Sequence, residues 1–171
     1  MFPKPNVVIS KCIEFNHCRY DGAIIRSDFV KELMPFVNFL PICPEVEIQL
    51  GIPRDPIRLI KIDNSIDLVQ PATKKNLTDK MNLFSDSFIK TLNDIDGFIL
   101  KSRSPSCGLN DVKVYSSIDK GPVIDKSAGI FGGRVNESFS NIAIEDEKRL
   151  INARIKEHFL RQIFVCLYIP S

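Results

Sequence analysis

Cysteines stand at positions 12, 18, 43, 107 and 166 of a 171-residue chain. A thiolate is a soft metal ligand that suits iron–sulfur clusters, zinc or copper, and it is also a nucleophile. No two of the five form a close CxxC pair, which argues against a zinc ribbon. Three share a context. Cys12 follows the β-branched run Val7-Val8-Ile9-Ser10, Cys43 follows Phe36 to Ile42, and Cys107 follows Gly97 to Lys101 by a short loop. Each run reads as a strand. Sites in open α/β sheets form beyond the carboxyl ends of the strands. Three thiols delivered to that edge can therefore converge although they are far apart in sequence. Three ligands would leave one metal position open, as a catalytic site requires. The plain alternative is that these cysteines are small buried core residues, a common fate of the free thiol.

Polar neighbours add chemistry. Glu45 stands two residues after Cys43, behind Pro44, and reads either as an acid/base or as a helix-start carboxylate favoured by the dipole. Ser104-Pro105-Ser106-Cys107-Gly108 gathers hydroxyls around a thiol, and Ser104 reads equally as a turn cap. Arg19, Arg54 and Arg58 are surface ion-pair candidates. The rigid frame Pro53-Arg54-Asp55-Pro56 also makes Arg54 a candidate contact to a phosphate or a pyrimidine, and Asp21 can orient Arg19. His17 and His158 read as surface residues, and Cys166 as packing in the last helix.

These residues need a scaffold. The length and the 44% hydrophobic content suit one domain spanning 1–171 with one core. Lys and Arg number 23 against 21 Asp and Glu, a net charge of +2, too balanced to suggest general affinity for nucleic acid or membrane. The N-terminal apolar run is too short for a signal peptide, Pro3 and Pro5 interrupt it, and no stretch approaches the ~18 apolar residues of a membrane helix. The expected location is cytoplasmic. Disulfides are rare there, so the thiols read as ligands, catalytic groups or core.

Asp28 can cap a short helix through Leu33, which Pro35 stops. Pro44 to Leu50 reads as one or two helical turns ending at Gly51. Ile57 to Ile62 and Ile66 to Val69 read as a hairpin around Asp63-Asn64-Ser65. Thr78 to Leu92 is the clearest helix, with Leu77, Met81, Phe84, Phe88 and Leu92 on one face. Val112 to Tyr115 is a further strand, and Ala128 to Phe139 a glycine-interrupted helix. The tail from Ile144 to about Tyr168 reads as mostly helical, and its segment from about 145 to 168 is expected to pack on the domain. Alternating strands and helices predict an α/β fold, a mostly parallel central sheet flanked by helices.

The chain resembles the thiouracil desulfidase (TudS) family. The resemblance rests on Val8-Ile9-Ser10-Lys11-Cys12, Arg19-Tyr20-Asp21-Gly22, Cys43-Pro44-Glu45-Val46-Glu47, Gly51 to Leu59, Lys101 to Leu109 and Ile155 to Phe164, in family order. It implies a 4Fe-4S cluster held by Cys12, Cys43 and Cys107, with the fourth iron open to the substrate's sulfur. It implies that Glu45 is the acid/base and that Ser104 assists at the substrate, with Arg19, Asp21, Arg54 and Ser106 as substrate-binding candidates. The implied reaction converts 4-thiouracil or its nucleotide to uracil and hydrosulfide without net redox change. The implied partner is a small thiolated pyrimidine or nucleotide, ahead of thiolated tRNA, because family members acting on tRNA carry a second domain. Two features depart from the pattern: no glycine precedes the RYDG string, and Cys18 adds an extra thiol that could compete as a fourth ligand. A rival reading is a non-catalytic cluster-binding module, which would use the same thiols and need no acid/base.

Overall fold

The structure is a computed structural model that describes residues 3–119 and 121–165. Cys166 and the end of the expected tail helix lie outside the described residues.

β1 (Asn6–Ser10) is the apolar run that starts the chain, and Val7, Val8 and Ile9 are fully buried. It pairs in parallel with β2 (Asn38–Ile42) on one side and β6 (Gly97–Leu100) on the other. β6 pairs in parallel with β9 (Ala143–Asp146), giving a four-stranded sheet of order β2-β1-β6-β9. Such a sheet is stable when both faces are covered, and its side chains alternate accordingly. Val7, Ile9 and Ile99 face one core with α1 (Asp28–Leu33) and α5 (Ala153–Val165). Val8, Phe98 and Leu100 face a second core with α3 (Thr78–Thr91) and α4 (Ile130–Ser138). The expected parallel sheet flanked by helices is present.

A second, mixed sheet has the order β5-β4-β3-β7-β8. The expected hairpin is β3 (Arg58–Ile62) against β4 (Ser65–Gln70), closed at Ile62 opposite Ser65 with Asp63 at φ 52°. β5 (Lys75–Asn76) extends it antiparallel to β4; β7 (Val112–Tyr115) pairs in parallel with β3 and antiparallel with β8 (Val123–Ser127).

Several local expectations need correction. The helical tail does not begin at Ile144: that segment is β9, drawn into the sheet by its pairing with β6, and a 3₁₀ turn (Arg149–Ile151) separates it from α5. Strand pairing here overrides the helix-like polarity of Glu145, Asp146 and Glu147. Ser27, not Asp28, caps α1, its hydroxyl accepting from the Val30 amide at 3.3 Å. Thr78 starts α3 but does not cap it; its hydroxyl accepts from the Leu68 amide at 2.9 Å and ties the helix to β4.

α5 docks through Phe159 and Ile163, both buried. Gly97 lets it come close, because a Cβ there would stand 2.9 Å from Ile163 Cγ2. Among the described residues no helix is long and apolar enough to cross a membrane.

Candidate functional site

β2, β1 and β6 are adjacent and parallel, so their carboxyl ends share one edge. The chain leaving each strand leads to Cys43, Cys12 and Cys107 respectively. Cys43 is the N-cap of the short helix α2 (Pro44–Glu47); Pro44 opens the helix and Glu45 falls in its first turn. Cys107 sits in a turn held by Ser104, whose hydroxyl accepts from the Cys107 amide at 3.0 Å and whose carbonyl accepts from the Gly108 amide at 2.8 Å. The start of α4 supports this turn from below. The Gly129 amide donates to the Gly108 carbonyl at 2.8 Å and the Gly132 amide to the Ser106 carbonyl at 2.9 Å. A Cβ on Gly132 would collide with the carbonyl oxygens of Gly108 and Cys107, so this close seat requires glycine.

Cys12, Cys43 and Cys107 all line one cavity of about 770 Å³, and Cys18 joins them. All four are free thiols. The Cys43 thiol lies 3.8 Å from the Cys18 carbonyl. The neighbouring Cys12 side chain, then burial, push the Cys18 thiol up to about 11, opposed by Cys43. Contact with Cys18, then burial, pushes the Cys43 thiol up as well. Burial takes Cys107 up to about 12, opposed by hydrogen bonds from the Ser10 and Ser106 hydroxyls that favour the thiolate. Without a metal these three thiols hold their protons at neutral pH, and metal binding must release them.

Among the described residues no three His, Cys, Asp or Glu side chains close on a point that a single metal ion could occupy. A cluster asks for something else: thiols spread around it about 7 Å apart, on short iron–thiolate bonds. Soft donors from three adjacent strand ends, facing one cavity, fit a cluster.

Beside the thiols lies a polar chain. Ser106 Oγ donates to Glu45 Oε1 at 2.9 Å and stands 3.0 Å from Ser104 Oγ. Arg54 grips the other carboxylate oxygen, Glu45 Oε2, from Nη2 at 2.6 Å and Nε at 2.9 Å. The Glu45 and Arg54 side chains are 12% and 4% exposed. This is a charge-assisted, nearly buried pair.

The sequence profile of the 2-thiouracil desulfurases matches residues 7–147. The chain belongs to the 2-thiouracil desulfurase family. Within the family's reach, YbbK of Bacillus subtilis (strain 168), an uncharacterised protein, is 27% identical over 112 residues, covering 60% of this chain and 72% of that protein. A solved 4Fe-4S-dependent thiouracil desulfidase, TudS, superposes with a TM-score of 0.66 at 22% identity, covering 91% of this chain and 99% of that one. That likeness is one of fold.

The structure of this desulfurase-family chain gathers most of the sequence candidates and separates one. Glu45, Arg54, Ser104, Ser106 and Arg19 line the cavity with the thiols, whereas Asp21 is absent from its wall. The Asp21 carboxylate accepts from the Ala23 amide at 3.0 Å and stands 4.0 Å from Arg19 Nε. Arg54 is committed to Glu45 and to the carbonyls of Cys18 and Gly51, each at 2.9 Å, so its guanidinium positions the carboxylate. Ser104 does hold a turn, and Ser106 is the hydroxyl bonded to Glu45.

Cys18, the extra thiol of the sequence, reaches the others because its loop folds back, the Ile25 amide donating to the Cys12 carbonyl at 2.7 Å. Two further features escaped sequence reading. Ser10 Oγ accepts from the Lys101 amide at 2.8 Å and joins the ends of β1 and β6. Lys101 Nζ meets Glu147 at 2.6 Å, and Glu147 also accepts from the Ser102 amide and hydroxyl, each at 2.8 Å. Ser10 and Lys101 were signalled by position, at the ends of two strands aimed at one edge. Glu147 carried no local signal.

The cavity is also electropositive. Eight Lys and Arg but three Asp and Glu line it, an excess of five cations in a chain whose net charge is +2. Arg54 and Lys101 are held in their buried pairs. Lys11, Arg19, Arg26, Arg103, Lys148 and Lys156 make up the rest. Lys148 and Lys156 lie beyond the segment matched by the family profile. Lys156 Nζ lies 5.2 Å from the Phe29 ring centroid.

Proposed function

We propose that this chain removes sulfur from a thiolated pyrimidine, of the 4-thiouracil type, giving uracil and hydrosulfide. One observation carries the reading: three thiols from adjacent strand ends share a cavity with a carboxylate already bonded to a hydroxyl and an arginine. Membership of the family points to the same chemistry. Cys12, Cys43 and Cys107 would hold a 4Fe-4S cluster with three thiolates. When bound, that cluster supplies a Lewis-acidic iron with affinity for a thiocarbonyl sulfur.

The side chains supply the rest. Replacing C=S by C=O consumes one water and releases one hydrosulfide, with no change of oxidation level. Glu45 accepts the proton of the attacking water at a carboxylate oxygen. Arg54 holds the other oxygen, which fixes the orientation of the carboxylate in the cavity wall. Ser106, bonded to Glu45, carries a proton between Glu45 and the ring or the departing sulfur. Ser104 fixes the turn on which Ser106 and Cys107 stand.

The cationic wall favours a nucleotide over the free base. A phosphate on the pyrimidine would meet Lys148, Lys156 and Arg26 while the thiocarbonyl turns to the thiols. A non-catalytic cluster module would need neither the Glu45–Ser106 bond nor the cationic wall.

The test is an anaerobic assay on reconstituted protein, following loss of thiocarbonyl absorbance and appearance of hydrosulfide. Turnover of 4-thiouracil and faster turnover of its 5′-nucleotide are expected, the nucleotide's KM rising with salt. A cluster-loaded protein that turns over neither would contradict the proposal.

A further inference from the structure

Lys101 and Glu147 line the cavity, and the proposed reaction gives neither a task. The sheet sets them side by side. Leu100 at the end of β6 pairs with Asp146 at the end of β9, so each of the two stands just past a paired strand end. Both side chains are nearly buried, 14% and 7% exposed. Lys101 Nζ donates to Glu147 Oε1 at 2.6 Å, to the Ser102 carbonyl at 2.9 Å and to Ser102 Oγ at 3.1 Å, which uses its three protons. Glu147 accepts from the Ser102 amide at Oε2 and from the Ser102 hydroxyl at Oε1, each at 2.8 Å. A nearly buried ion pair is weak evidence for stability, since well-packed apolar residues often serve as well. This pair closes on the amide, carbonyl and hydroxyl of one residue, and so clamps Ser102.

The clamp falls where the path to Cys107 begins. Three successive amides there donate to side chains: Lys101 to Ser10 Oγ at 2.8 Å, Ser102 to Glu147 Oε2 at 2.8 Å and Arg103 to Asp111 Oδ1 at 2.9 Å. Arg103 has a left-handed backbone, φ 58°, which a residue other than glycine keeps only where its neighbours impose it. The far end of the turn is held by Ser104 and by the backbone of α4. The near end is therefore the one that a single side chain can release. On the other side of Glu147, Asp146 Oδ1 accepts from the amides of Lys148 at 2.9 Å and Arg149 at 2.8 Å. Lys148 is one of the cavity's cations.

We propose that Glu147 is a positioning residue that fixes the Cys107 turn against the Lys148 segment, and so sets the reach between the thiols and the phosphate of a nucleotide substrate. It touches neither end of that substrate. Its carboxylate holds residues 101 and 102, and its backbone leads directly into Lys148. The consequence for the nucleotide rests on the desulfidase reading; the hold on the turn does not.

The experiment compares the full wild-type chain with Glu147→Gln, which keeps the shape and removes the charge and one acceptor oxygen. In metal-free protein, hydrogen exchange read by mass spectrometry should quicken about tenfold over residues 101–107, the scale of one charge-assisted hydrogen bond, and stay at wild-type rates in α3 and in β3 and β4. Alkylation of Cys107 by iodoacetamide should quicken with it. In reconstituted protein kcat should fall for free base and nucleotide alike, and KM should rise for the nucleotide alone. The double variant Lys101→Met/Glu147→Leu leaves no buried charge unpaired but still deprives the Ser102 amide of its acceptor, so it should show the same local exchange. Wild-type exchange over 101–107 in either variant, or equal acceleration along the whole chain in both, would overturn the proposal. An unchanged nucleotide KM beside a loosened turn would overturn it too. A loosened turn in variants of a wild type that takes up its iron and turns over no thiolated pyrimidine would uphold the clamp and refute the desulfidase reading.

Discussion

The two sheets of this protein are built on different terms. In the parallel sheet β2-β1-β6-β9, β1 and β6 are buried almost throughout, and loops leaving β1, β2 and β6 carry the thiols to one edge. In the mixed sheet, β8 is exposed along most of its length, with Val123 46% and Ile124 49% accessible. None of its strands lines the cavity. Its one contribution comes from the segment before β3, where Arg54 reaches Glu45. Parallel strands concentrate their exits on one side, so distant residues meet there; antiparallel hairpins return their ends to opposite sides and gather less.

The largest expected difference is in iron. Cys107→Ala should reduce iron and sulfide per chain to background after anaerobic reconstitution, read by metal analysis and absorbance near 400 nm. Val114→Ala, in a fully buried position of β7, should lower unfolding stability by about 2–3 kcal/mol in urea titration and leave iron per folded chain unchanged. Cys18→Ser should likewise keep its iron. Equal iron loss from Cys107→Ala and Val114→Ala would erase the distinction between the two regions.

A smaller effect separates the wall beyond the family segment from the thiols. Lys156→Gln should lower kcat/KM for the thiolated nucleotide roughly tenfold, the scale of one charge-assisted hydrogen bond, and leave the free base unaffected. An equal loss on both substrates would remove the phosphate contact from the account.

The smallest effect is on pH dependence. Cys18 and Cys107 are raised from an ordinary value of 9.0 to about 11 and about 12. Above pH 9 the unfolded chain gives up these protons while the folded, metal-free chain keeps them. The unfolded state then binds fewer protons, so stability falls as pH rises and the fall ends past about pH 12. Thermal melts of metal-free protein should show this alkaline loss, shallower in Cys18→Ser, where one such group is gone. Identical slopes would deny Cys18 its buried place.

Much of this site was legible in the sequence because β-branched runs mark strands, and a thiol just after a strand in an α/β pattern is committed to the carboxyl edge. Val7 to Ile9 and Gly97 to Leu100 did this for Cys12 and Cys107. Cys18 stood out as an extra thiol, but its place beside the others was illegible because the return of its loop depends on the Ile25–Cys12 bond and on Arg54, thirty-odd residues on in the chain. β8 was missed because Val-Ile-Asp-Lys-Ser is an exposed edge without an apolar alternation. β9 was misread because Glu145 to Lys148 resembles a helix start until β6 pairs with the residues beside it. Arg54 was singled out for its rigid frame, but only the structure brings it onto Glu45.

The central claim is that the thiols hold the cluster and Glu45 performs proton transfer beside it. Glu45→Gln keeps the side chain's shape and removes its capacity to exchange a proton. The decisive measurement is turnover of the thiolated pyrimidine by Glu45→Gln, at matched and verified iron content. The account predicts wild-type iron and a fall in turnover of roughly 10²–10⁴-fold, the usual worth of general acid–base catalysis. Unchanged turnover at matched iron would contradict it.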